Sequence, residues 1–275
     1  MKIILNADDF GANQIVNQEI ARCIHKEEIS SATIIAGGNE FEQAILLAKQ
    51  YPNISYGVHL AIDEYQSLTK SQILHDYGIT DDKGMFIKGG MEQIEMFDEK
   101  LKRAISDEWN AQIWRVKSEG IKVSHIDSHH HYHTIPALRK VIESTMVDNG
   151  IYHIRQNSYR SYKIKIKERK RKSINTQTKV QGAILKKSLV RKLECYVCNY
   201  VWNRRMNSKF STTDFFCSLQ YFYDNFSLLE SSGYHTIEVM THPGHPAYFF
   251  EEELRHKIVD DRGIKFDVIT YNDLK

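Results

Sequence analysis

The sequence predicts an α/β fold: a distorted (β/α) barrel with parallel strands and outer helices, built as one domain over residues 1–275 with one basic insertion at about 160–210. Three observations predict it. Short apolar runs alternate with stretches whose apolar residues repeat at helical spacing. The 275 residues suit one barrel-sized domain, and an apolar share of 41% gives it a core. The unusual polar residues come straight after apolar runs, where a parallel sheet gathers its loops. An open doubly wound sheet is the alternative reading of the same alternation.

The elements follow in order. KIILNA (2–7) reads as a buried strand, and Ile15, Val16, Ile20 and Ile24 then repeat at helical spacing. SATIIAGG (31–38) is a second strand closing on glycines. Asn39, with Glu42 three residues on, has the form of a capping box and opens a helix carrying Phe41, Ile45 and Ala48. ISYGVHLA (54–61) is a third strand, and 62–90 look irregular. A long helix places Ile94, Phe97, Leu101, Ile105, Trp109, Ile113 and Val116 on one stripe. IKVSHID (121–127) is a strand, 136–149 suits a helix with Pro136 in its first turn, and YHIRQN (152–157) is a short strand. TIEVMTH (236–242) and KFDVITY (265–271) are late strands.

Composition narrows the function. Lys and Arg number 37 against 35 Asp and Glu, a balance that suits neither nucleic-acid nor membrane binding. The first apolar run is too short for a signal peptide, and no stretch of about 20 apolar residues occurs. A reducing cytoplasm is the expected setting for Cys23, Cys195, Cys198 and Cys217. Cys195 and Cys198 form a C-x-x-C, but no second pair stands at zinc-site spacing, so ordinary cysteines are expected. The stretch 160–192, with KIKIKERKRKS and the single acid Glu168, lacks interleaved aromatics and reads as a solvated insertion.

The chemistry lies at the strand ends. Asp8 and Asp9 follow IILNA, His59 ends ISYGV, Asp127 and His129 end KVSHI, and His242 ends TIEVM. In a parallel α/β architecture these arrive on one face. Two imidazoles and one carboxylate can hold a metal and leave positions open for water and substrate. If the strand through DSHHHYH stays extended, Asp127, His129, His131 and His133 share a face. Adjacent Asp8 and Asp9 then point apart, so one binds metal while the other acts as base or orients a ligand.

NADDFG (6–11), GVHL (57–60), HIDSHHHYH (125–133) and THPG (241–244) together resemble the YdjC-like carbohydrate deacetylases, which include chitooligosaccharide deacetylases. The resemblance covers residue 2 to about 155 and about 212 to the end; nothing in it matches the basic stretch. It implies a distorted barrel, one divalent metal (magnesium first, although such a donor set also accepts zinc) and removal of an N-acetyl group from an amino sugar or oligosaccharide. By motif it makes Asp9, His59 and His129 the metal ligands, Asp8 the catalytic carboxyl group and His242 its partner in proton transfer. Arg155, His131 and His133 are expected to contact the sugar. A homodimer is plausible on the same ground. Two rival readings stand beside this one. A barrel phosphoesterase would bind two or three metals, and a catalytically silent sugar-binding protein would show no turnover.

Overall fold

The computed structural model describes residues 1–157, 189–260 and 266–274. Its strands are β1 (Lys2–Phe10), β2 (Ser31–Ile34), β3 (Ser55–Leu60), β4 (Val123–Ser128), β5 (His153–Ile154), β6 (Phe215–Ser218), β7 (Thr236–Thr241) and β8 (Asp267–Val268). They run in the order β5-β4-β3-β2-β1-β7-β6, with β8 beside the start of β1, and each described pairing is parallel. The sheet curls into a half-barrel wrapped by helices. Its two edges come near each other at Ser211, whose N–H donates to Tyr152 O and whose carbonyl accepts from the Ile154 N–H.

The helices are α1 (Gln14–His25), α2 (Phe41–Gln50), α3 (Gln72–Asp76), α4 (Glu99–Ser118), α5 (Arg139–Asp148), α6 (Leu189–Asn207), α7 (Leu219–Asp224), α8 (Phe226–Glu230) and α9 (Glu251–Asp260). The stripe expected of the long helix faces the sheet: Leu101, Ile105, Trp109, Ile113 and Val116 are buried on α4. Ile94 and Phe97 precede the helix, because Asp98 caps it by accepting from the Leu101 N–H at 2.8 Å. Burial of five large apolar side chains, each worth roughly 1.5–3 kcal/mol, holds α4 down far more strongly than its cap. Gly57 is required on β3, since a Cβ there would lie 2.6 Å from the buried His125 ring.

Several expectations change. The Asn39–Glu42 capping box does not form: α2 starts after Glu40 without a side-chain cap, and Glu42 accepts from Arg115 instead. β6 was not foreseen, because FFCS lacks alternation. Residues 158–188 of the expected insertion lie outside the described residues. Beyond the stretch read as solvated, Trp202 and Met206 of α6 are buried in the core. Cys198, on the same helix, is exposed and free, Cys23 is free and buried, and Cys217 is buried. Among the described residues no helix is long and apolar enough to cross a membrane.

Candidate metal centre

The site grows from strand register. β3 and β4 pair His59 with Asp127, and Thr33 of β2 lies alongside. The Thr33 hydroxyl is 3.2 Å from both Asp127 Oδ2 and His59 Nδ1. Asp127 can only accept, so His59 Nδ1–H donates to its Oδ1 at 2.7 Å. This fixes the tautomer and leaves the His59 Nε2 lone pair free to face Asp9 Oδ1 at 3.4 Å.

The end of β1 is not extended. Asp9 has φ +70°, and the β1–β2 register shifts between Ala7 and Phe10. That irregularity, rather than simple alternation, separates the two aspartates. Both nevertheless reach His59, since Asp8 Oδ2 is 4.0 Å from its Nε2. A left-handed aspartate costs strain of order 1 kcal/mol, sustained because both carboxylates are held by partners.

DSHHHYH also departs from the extended reading. β4 stops at Ser128, and His130 (φ +51°) and His131 (φ +60°) turn left-handed inside a 3-10 segment, His129–Thr134. The histidines therefore diverge. His129 stays at the centre, with Nδ1 3.1 Å from Asp9 Oδ1 and Nε2 3.3 Å from Glu64 Oε2. His130 Nδ1 is hydrogen-bonded to Asp63. His131 is half-buried with its ring edge on Phe216. His133 is fully buried, its Nδ1 bonded to the Ser128 hydroxyl and its Nε2 3.2 Å from Arg155 O. The ring of His133 thus braces the site from behind, and His131 alone of that pair has solvent access.

Arg155 is likewise fully buried. Its guanidinium donates to both oxygens of Asp8 (2.6 and 2.8 Å), and it pairs with Asp127 Oδ2 and Glu238 Oε1, each at 2.8 Å. The side chain expected to contact the sugar is thus enclosed against the Asp8 carboxylate and does not line an open cleft.

Electrostatics follow from these contacts. Burial raises the Asp8 carboxyl, but the Arg155 charge and hydrogen bonds outweigh it and hold Asp8 well below the usual carboxylate range. Asp9 is likewise opposed by burial yet drawn down to about 2 by His129 and His59. Burial lowers His129, but Asp9, Asp63 and Glu64 carry it up to about 9. Burial and Arg155 push His131 down to about 3. Burial pushes Glu238 up to about 7 despite Arg155. His242 is also raised: burial opposes its charge, while Glu251 and Asp8 favour it.

Among the described residues three groups bring candidate ligand atoms within 4.8 Å of one another: Asp9–His59–His129, Asp63–His129–His130 and Asp8–His59–Asp127. The last is spoiled by Arg155, whose fixed charge contacts both of its carboxylates. The second shares His129 and ties Asp63 to His130. The first fits a divalent ion best. Asp9 is acidic enough to stay charged, and His59 has a free Nε2 backed by Asp127. His129 has a carboxylate, Glu64, for the N–H opposite Nδ1, the nitrogen facing Asp9.

Sequence reasoning missed Asp63, Glu64, His130, Glu238 and Glu251. Asp63 and Glu64 come just past the third strand, after Ala61 and Ile62. Glu238 is a lone acid inside an apolar strand, TIEVM, which was a readable signal of a buried pair.

A curled parallel sheet with an Asp–His–His donor set at the carboxyl ends of its strands defines an α/β barrel protein with a candidate metal centre. The YdjC-like protein family model matches residues 2–272, and the chain belongs to that family. It is 36% identical over 143 residues to a carbohydrate deacetylase of Brevibacillus brevis, covering 52% of this chain and 54% of that protein. It is 36% identical over 167 residues to a carbohydrate deacetylase of Vibrio campbellii, covering 56% and 61%. The chain thus spans about half the length of the curated relatives it matches. A crystal structure from Enterococcus faecalis V583, of a candidate cellobiose-phosphate cleavage protein, superposes with a TM-score of 0.66 at 20% identity, covering 98% and 97% of the two chains; it shares the fold.

Proposed function

We propose that the protein is a metal-dependent hydrolase that removes N-acetyl groups from acetylated amino sugars or their oligosaccharides. The observation that carries this reading is the meeting of Asp9, His59 and His129 beside Asp8, with His242 close enough for these aspartates to favour its charged form. The deacetylase relatives support the substrate class. Magnesium is the proposed ion, and Cys23 and Cys198 remain free thiols in a cytoplasmic setting.

An ion held by Asp9, His59 and His129 would polarise the acetamide carbonyl and acidify water beside it. The chain's own residues handle the protons. Arg155 and the Asn6 amide both donate to Asp8 Oδ1, while Oδ2 accepts from Arg155 and keeps a further lone pair, which accepts a hydrogen bond from the attacking water. Asp8 is a weak base, so it takes the proton only as the new C–O bond forms. As the C–N bond breaks, its electron pair goes to nitrogen, and His242 supplies the proton that makes a neutral amine. The proton on Asp8 returns through solvent to His242, and acetate and the free amino sugar leave. His131, the solvent-accessible neutral imidazole of the turn, hydrogen-bonds the sugar.

The test is an acetate-release screen over N-acetylated mono- and oligosaccharides, with and without chelator. Chelator-sensitive release from at least one amino sugar is expected. Release from none of them with divalent metal present would remove the assignment.

A further inference from the structure

Glu251 has no place in the chemistry above, yet its position is unusual for a surface-helix acid. It opens α9 and is buried at 1% exposure. Its Oε2 accepts from the Thr241 hydroxyl at 2.8 Å and from the His242 N–H at 2.6 Å. Its Oε1 stands 3.7 Å from His242 Nδ1, too far for a hydrogen bond and close enough for a charge to be felt. His242 Nδ1 is enclosed and has no hydrogen-bond partner of its own. Arg255, one turn along α9, donates to Thr241 Oγ1 at 3.0 Å and so ties the helix to the end of β7. On its ring face, His242 is covered by Tyr248, stacked 4.0 Å away at 16°.

We propose that Glu251 is the positioning residue of His242: it fixes the main chain where β7 ends and presents a carboxylate to the Nδ1 side of the ring, so that Nε2 is the nitrogen that delivers the proton to the leaving amine. This rests on the deacetylation reading above. Each restraint acts on a different degree of freedom. The Oε2 bonds set the backbone, the Tyr248 stack sets the ring plane, and the Oε1 charge favours a proton on Nδ1, which is what an imidazolium requires for Nε2 to be spent as the acid. The other groups around His242 are Asp8 and Asp9 of β1, His131 of the turn after β4, and His245 and Tyr248 of the loop after β7. Asp8 and Asp9 also favour the charged ring, but Arg155 already shares the charge of Asp8. Glu251 is the nearer acid free of an arginine contact on its own Oε1 side.

Glu251→Gln tests this. The amide oxygen can still accept from Thr241 and the His242 N–H, while the charge is gone. The His242 imidazole is titrated by NMR in metal-free protein, with His242→Asn used to assign its signal, and kcat for acetate release from N-acetylglucosamine is followed against pH. Losing an opposite charge at this range moves a titration by about one unit or more. The midpoint in Glu251→Gln is therefore expected about one unit or more lower. The alkaline limb of kcat should fall by the same amount, with KM nearly unchanged. Glu251→Asp, which keeps the charge, should bring both back towards the native values, and it stands in if the glutamine variant folds poorly. An unchanged midpoint in Glu251→Gln, or a lowered one in Glu251→Asp equal to it, overturns the proposal. If His242→Asn itself turns over at the native rate, the acid assignment in the deacetylation reading fails instead, which is a separate result.

Discussion

Consider replacing Arg155 with methionine, which has similar reach and no charge. In the native protein one guanidinium serves Asp8, Asp127 and Glu238 together, all of them buried. Breaking a buried ion pair by removing one partner costs about 3–5 kcal/mol, since the other charge is left uncompensated. Three carboxylates lose their counter-ion here, but they need not all stay charged. Glu238, already at about 7, takes a proton, and Asp8 follows once Arg155 no longer holds it down. The expected loss at neutral pH is therefore about 4 kcal/mol, not three times that. The sign of the pH dependence is the sharper test. Native Asp8 titrates below its unfolded value of 3.8, so its contribution is present above that pH and is lost as pH falls through the folded value. In the variant, burial, the largest influence on Asp8, is opposed only by the smaller effects of His59 and His242; the folded value is then expected above the unfolded one, and stability falls as pH rises. The gap between the two proteins should be small near pH 4 and widen towards pH 7. Denaturant unfolding of metal-free protein across that range reads it. A gap that stays flat with pH, or a loss below about 1 kcal/mol at pH 7, would refute the idea that Arg155 is the shared counter-ion.

Other expectations concern the metal. His59→Ala and His129→Ala should each lose bound ion and activity and keep the fold; full occupancy by elemental analysis in either variant removes that residue from the site. His129 is carried up to about 9, so below that pH the ion must displace its proton. Apparent affinity should then rise up to about tenfold per pH unit towards pH 9, with proton release visible by calorimetry in buffers of different ionisation enthalpy; binding without proton release would sink this. Asp8→Asn should bind metal nearly normally but lose about 10²–10⁴ in rate, whereas Asp9→Asn should bind weakly and regain part of its activity in excess metal. The opposite pattern would exchange the two assignments.

The barrel was legible because buried parallel strands write themselves as apolar runs, and KIILNA, ISYGVHL and TIEVM each became strands ending in chemistry. The candidate donor set was legible because Asp9, His59 and His129 come at the ends of such strands. What stayed hidden depends on backbone that breaks the strand period. The left-handed turns at Asp9, His130 and His131 undo the alternation argument, and no glycine marks them. The burial of Arg155 was hidden because its three acidic partners come from β1, β4 and β7, far apart in sequence. Glu251 opens an acidic helix start, EEE, that reads as a surface feature until α9 is seen against the end of β7.

The most direct measurement is anomalous diffraction from crystals soaked in manganese. The account predicts one peak, bounded by Asp9 Oδ1, His59 Nε2 and His129 Nδ1. A peak among Asp63, His129 and His130, one among Asp8, His59 and Asp127, or two peaks together would contradict it.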